Sequence, residues 1–265
     1  METHNNIKIM TEKKQLNLPR VYKAKDKKFE KHNGKPKLSY SQYTSYIDPQ
    51  YNTGYILGYI FGLGQDSNFW AGFGTYCGTS IEYRMDPGKA QGKDAVTLKE
   101  AFSYFNEKDI ETLGKADKMF PDNTVYEREI VLDRGHYVTQ GFIDVNYSKD
   151  KKEDVIDVKT GGKSSKTKGT SFYGSDKYGQ TRLYARALEE EGEEIGYCGV
   201  VFLDRTYEGT FEDPILHLSG DIIQVTTPYT KKETDALLVK MDKVAEEISS
   251  LKTTYDLLKD LTIKM

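Results

Sequence analysis

Between Val125 and Thr160 the chain alternates apolar and polar residues in three short runs, and from Gln180 the period becomes helical. That order of patterns confines the region to a sheet backed by helices. Val125 to Leu132 and Tyr137 to Asn146 are separated by Asp133-Arg134-Gly135, a turn sequence with a glycine free to take positive φ, so the two runs form a hairpin with Asp144 near its exit. Ser148 to Glu153 is a polar turn into a third strand, Glu153 to Thr160, rich in β-branched residues. Side chains alternate across a strand, so Asp157 and Lys159 share one face, while Ile156 and Val158 point to the other and can be buried against a helix layer. After it, Gln180, Leu183, Tyr184, Ala187 and Leu188 fall on one helical stripe. Gln180 is thus turned inward, where an unbonded amide costs roughly 2–7 kcal/mol and needs a partner.

The chemistry of this set is specific. Asp144 and Asp157 on neighbouring strands, with substrate oxygens and water, suit Mg²⁺ or Mn²⁺, which take oxygen ligands and rarely need an all-protein cage. Taken singly, each residue has a plain structural reading: the two aspartates as solvated strand ends, Lys159 as a surface lysine, Tyr184 as core. Their order along the chain points to a site.

Gly141-Phe-Ile-Asp144, then Asp157-Val-Lys159, then Gln180-x-x-x-Tyr184 resembles the motif series of the PD-(D/E)XK nuclease superfamily, in its RecB-like exonuclease branch. Leu38 to Tyr46 followed by Asp48-Pro49 is similar to the opening helix of that branch, and Ser39 with Gln42 makes a capping box that starts it while Pro49 ends it. Gly78-Thr-Ser-Ile-Glu82 is similar to a helical motif that ordinarily ends in a metal-binding histidine; Glu82 stands there, as in lambda-type phage exonucleases. The resemblance runs over roughly residues 38 to 204. It implies a restriction-endonuclease-like mixed central β-sheet flanked by helices, in an α/β domain. It also implies hydrolysis of DNA phosphodiester bonds with Asp144, Asp157, Glu82 and the main-chain carbonyl of Val158 as metal ligands, Lys159 orienting or deprotonating water, and Gln180 and Tyr184 positioning the site or the DNA backbone. The expected protein is an exonuclease of phage or bacterial recombination or repair, acting on DNA with a free end and able to work beside a recombination partner protein. An endonuclease of the same superfamily and a non-catalytic nucleic-acid-binding module stay open as alternatives. The full acid-acid-lysine set speaks against the last, because a binding module has no use for carboxylates facing phosphate.

Composition bounds the rest. The chain has 265 residues, enough for one domain with a sizeable core, and a mean hydropathy of -0.67 with 30% charged residues marks it as soluble. No long apolar run or signal peptide is visible, so a cytoplasmic protein without membrane contact is expected, in the bacterial host if phage-encoded. The cysteines are Cys77 and Cys198, which fits a reducing compartment and excludes the four-cysteine iron-sulfur cluster of some relatives. His4, His32, His136 and His217 have no metal-ligand spacing, so zinc is not expected. Gly162-Lys163-Ser164 lacks the glycine five positions earlier that a P-loop needs; the loop Lys163 to Lys168 is either a solvated loop or a phosphate contact.

Net charge is only -3, but charge is segregated: Lys8 to Lys37 holds eleven Lys/Arg against Glu12, Asp26 and Glu30. Residues 1–37 therefore read as a basic arm, either untethered or touching phosphates, and 38–265 as the nuclease domain. Thr97-x-x-Glu100 reads as the cap of one helix and Ile110 to Met119 as another. The aromatic residues from Tyr51 to Tyr76 suit core packing for the most part, with base stacking open to some. Tyr197 to Leu203 and Ile222 to Thr226 read as strands. Thr230-x-x-Glu233 starts the longest helix, whose seam at Leu237, Met241, Val244, Ile248, Leu251, Tyr255 and Leu258 docks on its own domain by default, an oligomer being the other use of such a seam.

Overall fold

A computed structural model of the chain describes residues 31–60, 69–161, 179–211 and 213–263. The elements run β1 (Lys31–His32), β2 (Lys35–Pro36), α1 (Tyr40–Ile47), α2 (Asn52–Tyr55) passing into a π-turn (Ile56–Ile60), α3 (Phe69–Glu82), α4 (Gly92–Tyr104) and α5 (Glu107–Asp117). Then come β3 (Val125–Asp133), β4 (Val138–Lys149), β5 (Lys152–Gly161), α6 (Gln180–Glu190), β6 (Ile195–Gly209), β7 (Pro214–Pro228) and α7 (Lys231–Ile263). Strands β3 to β7 form one mixed five-stranded sheet in chain order, β5 parallel to β6 and the other neighbours antiparallel. The chain is thus a mixed α/β fold with helices on both faces of the sheet.

Two apolar layers hold it together. On one face Tyr43, Tyr55, Leu183, Leu188, Met241 and Ile248 from the helices pack on Ile130, Ile143, Val155, Val200 and Phe202. On the other Phe73, Ile81, Ala101 and Leu113 pack on Val145, Ile156, Val201, Leu203 and Leu218. Burying each such side chain contributes roughly 1.5–3 kcal/mol.

Local chemistry sets the turns and the starts of α1 and α5. Ser39 and Gln42 form both bonds of the capping box at α1. The β3–β4 turn closes with the Arg134 N–H on the Tyr137 carbonyl at 2.9 Å, Gly135 at φ +85°, and the Gly135 N–H on Asp133 Oδ1 at 2.8 Å. Asp150 and Lys151, both at positive φ (52° and 66°), make the tight β4–β5 turn. Lys35 Nζ donates to both Asp133 oxygens (2.7 and 2.5 Å), and the Leu38 N–H to the Val138 carbonyl at 3.0 Å, so residues 31–37 of the basic segment form a small hairpin fastened to the β3–β4 turn. Residues 1–30 of that arm and the lysines of the 163–168 loop lie outside the described residues.

Three expectations need correction. Thr97 does not cap a helix: α4 begins at Gly92, and the Thr97 hydroxyl bonds back to the Lys93 carbonyl at 3.2 Å inside it. Helix α5 starts three residues before Ile110, at a capping box of Asn106 with Asp109. The α7 seam docks only in its first half, where Leu238, Met241, Val244 and Ile248 are buried; Leu251 and Leu258 are exposed at 40% and 58%.

Asp109 ties α5 to the sheet. Fully buried, it accepts from the Asn106 N–H at 3.0 Å and from the Leu218 N–H of β7 at 2.6 Å, with His217 Nδ1 at 2.9 Å. Asp109→Ala strands the buried Leu218 N–H and removes half of the α5 capping box, and a denaturant titration should show a loss of roughly 2–5 kcal/mol at unchanged slope. A loss under about 0.5 kcal/mol would show that the tie is not needed.

Candidate active site

The site begins where two strands part. Strands β4 and β5 pair from Lys149↔Lys152 up to Val145↔Ile156, and the next step in that register, Asp144 opposite Asp157, is not made. Beyond the fork the Val158 N–H has lost its strand partner and donates to Asp144 Oδ2 at 2.8 Å. A backbone donor at a buried strand edge must be satisfied, and here a carboxylate takes the place of a carbonyl. Ile156 and Val158 meet the α3–α5 layer, while Asp157 turns to the opposite face, where α6 lies.

Asp157 is only 2% exposed and heavily bonded. Lys159 Nζ reaches its two oxygens at 2.9 and 2.8 Å, and Gln180 Nε2 donates to its Oδ1 at 3.0 Å. The same Gln180 amide donates to Tyr184 Oη at 3.3 Å, so the inward amide finds its partners in the site. Gly141 fits this arrangement because Tyr184 lies against it: a β-carbon there would stand 2.6 Å from Tyr184 Oη and 2.8 Å from its ring. The glycine three residues before Asp144 is thus the seat of a ring that turns its hydroxyl to Gln180.

Two residues with no signal in the sequence join the set. Glu127, at φ +49° within β3, stands opposite Asp144 where the β3–β4 pairing is interrupted between Tyr126↔Val145 and Arg128↔Ile143. A non-glycine residue at positive φ in a strand is strained, and such strain gathers at functional sites. Here both strands switch faces: Ile143 lies in the layer with α6 and Val145 in the layer with α3, although two residues apart should share a face. Asp94, in the first turn of α4, accepts from Tyr83 Oη at 2.9 Å.

The electrostatics follow. Burial and then the charge of Asp157 push the Asp144 carboxyl up to about 8, against the pull of Lys159 and the Val158 N–H. Burial, Glu127 and Asp94 raise Glu82 to about 7. Glu127 itself reaches solvent, yet crowding by the surrounding protein, Asp94 and Asp157 raise it as well, with Lys159 opposing. Burial, then Asp157 and Asp144, push the Tyr184 hydroxyl to about 12. Among the described residues of this group, acidic side chains outnumber the ammonium of Lys159.

The structure therefore brings Asp144, Asp157, Val158, Lys159, Gln180 and Tyr184 together. Glu82, the last residue of α3, is linked to the group through Glu127 and shares the field of Asp94, and among the described residues no three acidic, histidine or cysteine side chains converge as a cation cage. The donor set still fits a divalent cation of the magnesium type: carboxylate and carbonyl oxygens, a carboxyl whose charge is disfavoured by another, and a need for only one or two protein carboxylates. Both cysteines are free buried thiols, and burial pushes Cys198 up to about 12.

The chain matches no protein-family model and no curated protein. Among solved structures it is similar to the crystal structure of SSO0001, with a TM-score of 0.33 and 15% identity over 65% of this chain and 71% of that one, a likeness too slight to argue from. No helix among the described residues is long and apolar enough to cross a membrane.

Two outcomes are expected. A carboxyl raised in the folded state favours the fold when protonated, so its contribution is complete below the ordinary carboxylate range and is lost as pH rises through its folded value. In metal-free buffer the melting temperature should thus fall between about pH 4 and pH 8, each kcal/mol lost being about 2–4 °C, and the slope should flatten in Asp144→Asn. An equal slope in that variant would remove Asp144 as the source. Gly141→Ala should displace the Tyr184 ring and lower stability by roughly 1–3 kcal/mol, the cost of overpacking, with Gly141→Ala/Tyr184→Ala recovering part of it; no recovery would mean that the ring is not what Gly141 accommodates.

Proposed function

We propose that this chain is a metal-dependent DNA exonuclease with a restriction-endonuclease-like fold, in the RecB-like branch of the PD-(D/E)XK superfamily, serving recombination or repair in a phage or bacterium. The observation that carries the reading is the fork itself: Asp144 from β4, Asp157 and Lys159 from β5, and Gln180 and Tyr184 from α6 meet in one partly buried cluster. A structural ion pair does not call for two further polar side chains and a strained acidic neighbour.

The division of labour follows from the contacts. Asp144, Asp157 and the Val158 carbonyl would hold Mg²⁺ or Mn²⁺, which when bound supplies Lewis acidity toward water and offsets the charge of a phosphodiester. Lys159 grips both oxygens of Asp157 and so holds its ammonium at a fixed place, where it can orient a water and stabilise negative charge as it develops on phosphate. Gln180 fixes the Asp157 carboxylate from the other side, and Tyr184 fixes Gln180. Glu127, and Glu82 through it, add to the negative potential of the site, which favours cation capture.

The test is degradation of linear duplex DNA with Mg²⁺ or Mn²⁺. Asp157→Asn and Lys159→Gln, which keep the size of the side chains, should each lower the rate by about 10²–10³-fold or more while the protein still melts cooperatively. Undiminished rates in both would end the site assignment. Closed circular DNA should survive under the same conditions, and its cutting would turn the reading to an endonuclease. Binding of DNA with no hydrolysis in any metal would leave a binding module.

A further inference from the structure

A concave feature among the described residues is linked to the site through Tyr40 and Gly179 without sharing its residues. Between α1 and the α2–π-turn segment lies a cavity of about 220 Å³, the space of roughly seven waters. Ser41, Gln42 and Ser45 line it from α1, and Gln50, Tyr51 and Tyr59 from the other side. Its floor is Tyr55, only 3% exposed, whose ring is stacked with Tyr59 at 4.9 Å and 22° and met edge-on by Tyr46 at 5.8 Å. Tyr51 stands at the rim, 57% exposed.

Three observations say what such a cavity takes. Its lining is hydroxyl, amide and aromatic, with no charged side chain among the described residues. A phosphate placed there would lose its hydration with no cation to offset its charge. A neutral planar ring would gain stacking on tyrosine and hydrogen bonds at its edges; Gln42 Oε1 is already engaged by the Ser39 N–H at 2.8 Å, which leaves its amide NH₂ to donate. Second, the wall carrying Tyr59 is a π-turn, Ile56–Ile60, a rare and costly element found frequently at functional sites. Third, the cavity is coupled to the cluster at the strand fork. Tyr40, in the same helical turn as Ser41 and Gln42, accepts from the Gly179 N–H at 2.9 Å, and the next residue, Gln180, holds Asp157.

We infer that the cavity between α1 and α2 receives a single unpaired nucleobase of the DNA strand whose backbone enters the Asp144–Asp157 site. The inference rests on the nuclease reading for the identity of the polymer. The base stacks on the tyrosine wall, chiefly Tyr51 at the open rim, and its edge meets Gln42, Ser45 and Gln50. Recognition by stacking and a few adaptable polar groups holds any base in place, so the cavity sets the register of the strand on the site with little regard for sequence.

The experiment measures binding by fluorescence anisotropy in EDTA, with a duplex bearing a short single-stranded extension. Nucleotides near the junction are replaced one at a time by an abasic residue, which keeps a furanose ring and removes the base. At one position the wild-type protein should lose roughly five- to hundredfold in affinity, the worth of one stacked base. In Tyr51→Ala and in Gln50→Ala, both exposed residues whose truncation leaves the core untouched, that loss should shrink toward onefold, and Tyr51→Phe should restore it. A loss of the same size in wild type and both alanine variants, or no position-specific loss at all, overturns the inference. Cleavage of the same duplexes with Mg²⁺, run in parallel, separates the two proposals. Cleavage without a base-dependent loss removes the pocket and keeps the nuclease. A base-dependent loss abolished by Tyr51→Ala, without cleavage, keeps the pocket and removes the nuclease. Absence of any DNA binding removes both.

Discussion

The N–H of Val158 cannot bond to a neighbouring strand, and much of the site is organised around that fact. Strand β4 leaves β5 at Val145↔Ile156, and the carboxylate of Asp144 closes the gap that the missing carbonyl leaves. Asp144 is thereby fixed at the fork, and Asp157, beside Val158, faces into it. Opposite, Glu127 takes positive φ where the β3–β4 ladder breaks, and Gly141 leaves room for the ring that supports Gln180. An acidic side chain used as a strand partner explains both why a carboxylate stands at this position and why it is buried against another.

That arrangement is poor economy for stability alone. Buried ion pairs such as Asp157–Lys159 roughly break even against apolar residues of the same size, and removing one partner leaves a charge with nothing to offset it. The raised carboxyls of Asp144 and Glu82 add a standing penalty at neutral pH. A sheet this well packed on both faces could be closed at the fork with valines. Acids stand there instead, beside a strained glutamate of β3, and leave negative potential concentrated at the fork.

Much of this was legible in the sequence wherever one local cause decided the outcome. The Ser39–Gln42 box starts α1, Gly135 makes its turn, and the period-two pattern of β5 places Asp157 and Lys159 together. The stripe of α6 turns Gln180 inward, as its bond to Asp157 confirms. What was hidden arises from tertiary contacts. Thr97-x-x-Glu100 has the form of a cap but lies inside α4, whose first turn is held from outside by Tyr83 on Asp94. Glu127 looks like any strand glutamate, since Tyr126, Ile130 and Leu132 keep one parity while the backbone switches faces between them. The α7 seam is continuous in sequence, yet the domain it lies on ends near Ile248. Periodicity gives the face of an element and not the extent of what it meets.

The single parallel ladder of the sheet has a temporal meaning. Strands β3, β4 and β5 join their neighbours through short turns, and β6 and β7 pair from Gly209↔Pro214 onward, so each group can form from contacts close in sequence. Only the junction of β5 with β6 must wait for the long connection that carries α6, and non-local pairing of this kind is the slow part of folding. Gln180 and Tyr184 ride on that connection. A chain in which β5 has not yet met β6 holds both aspartates and the lysine but lacks the seated α6, so the full set with Gln180 and Tyr184 comes together only at that one non-local junction.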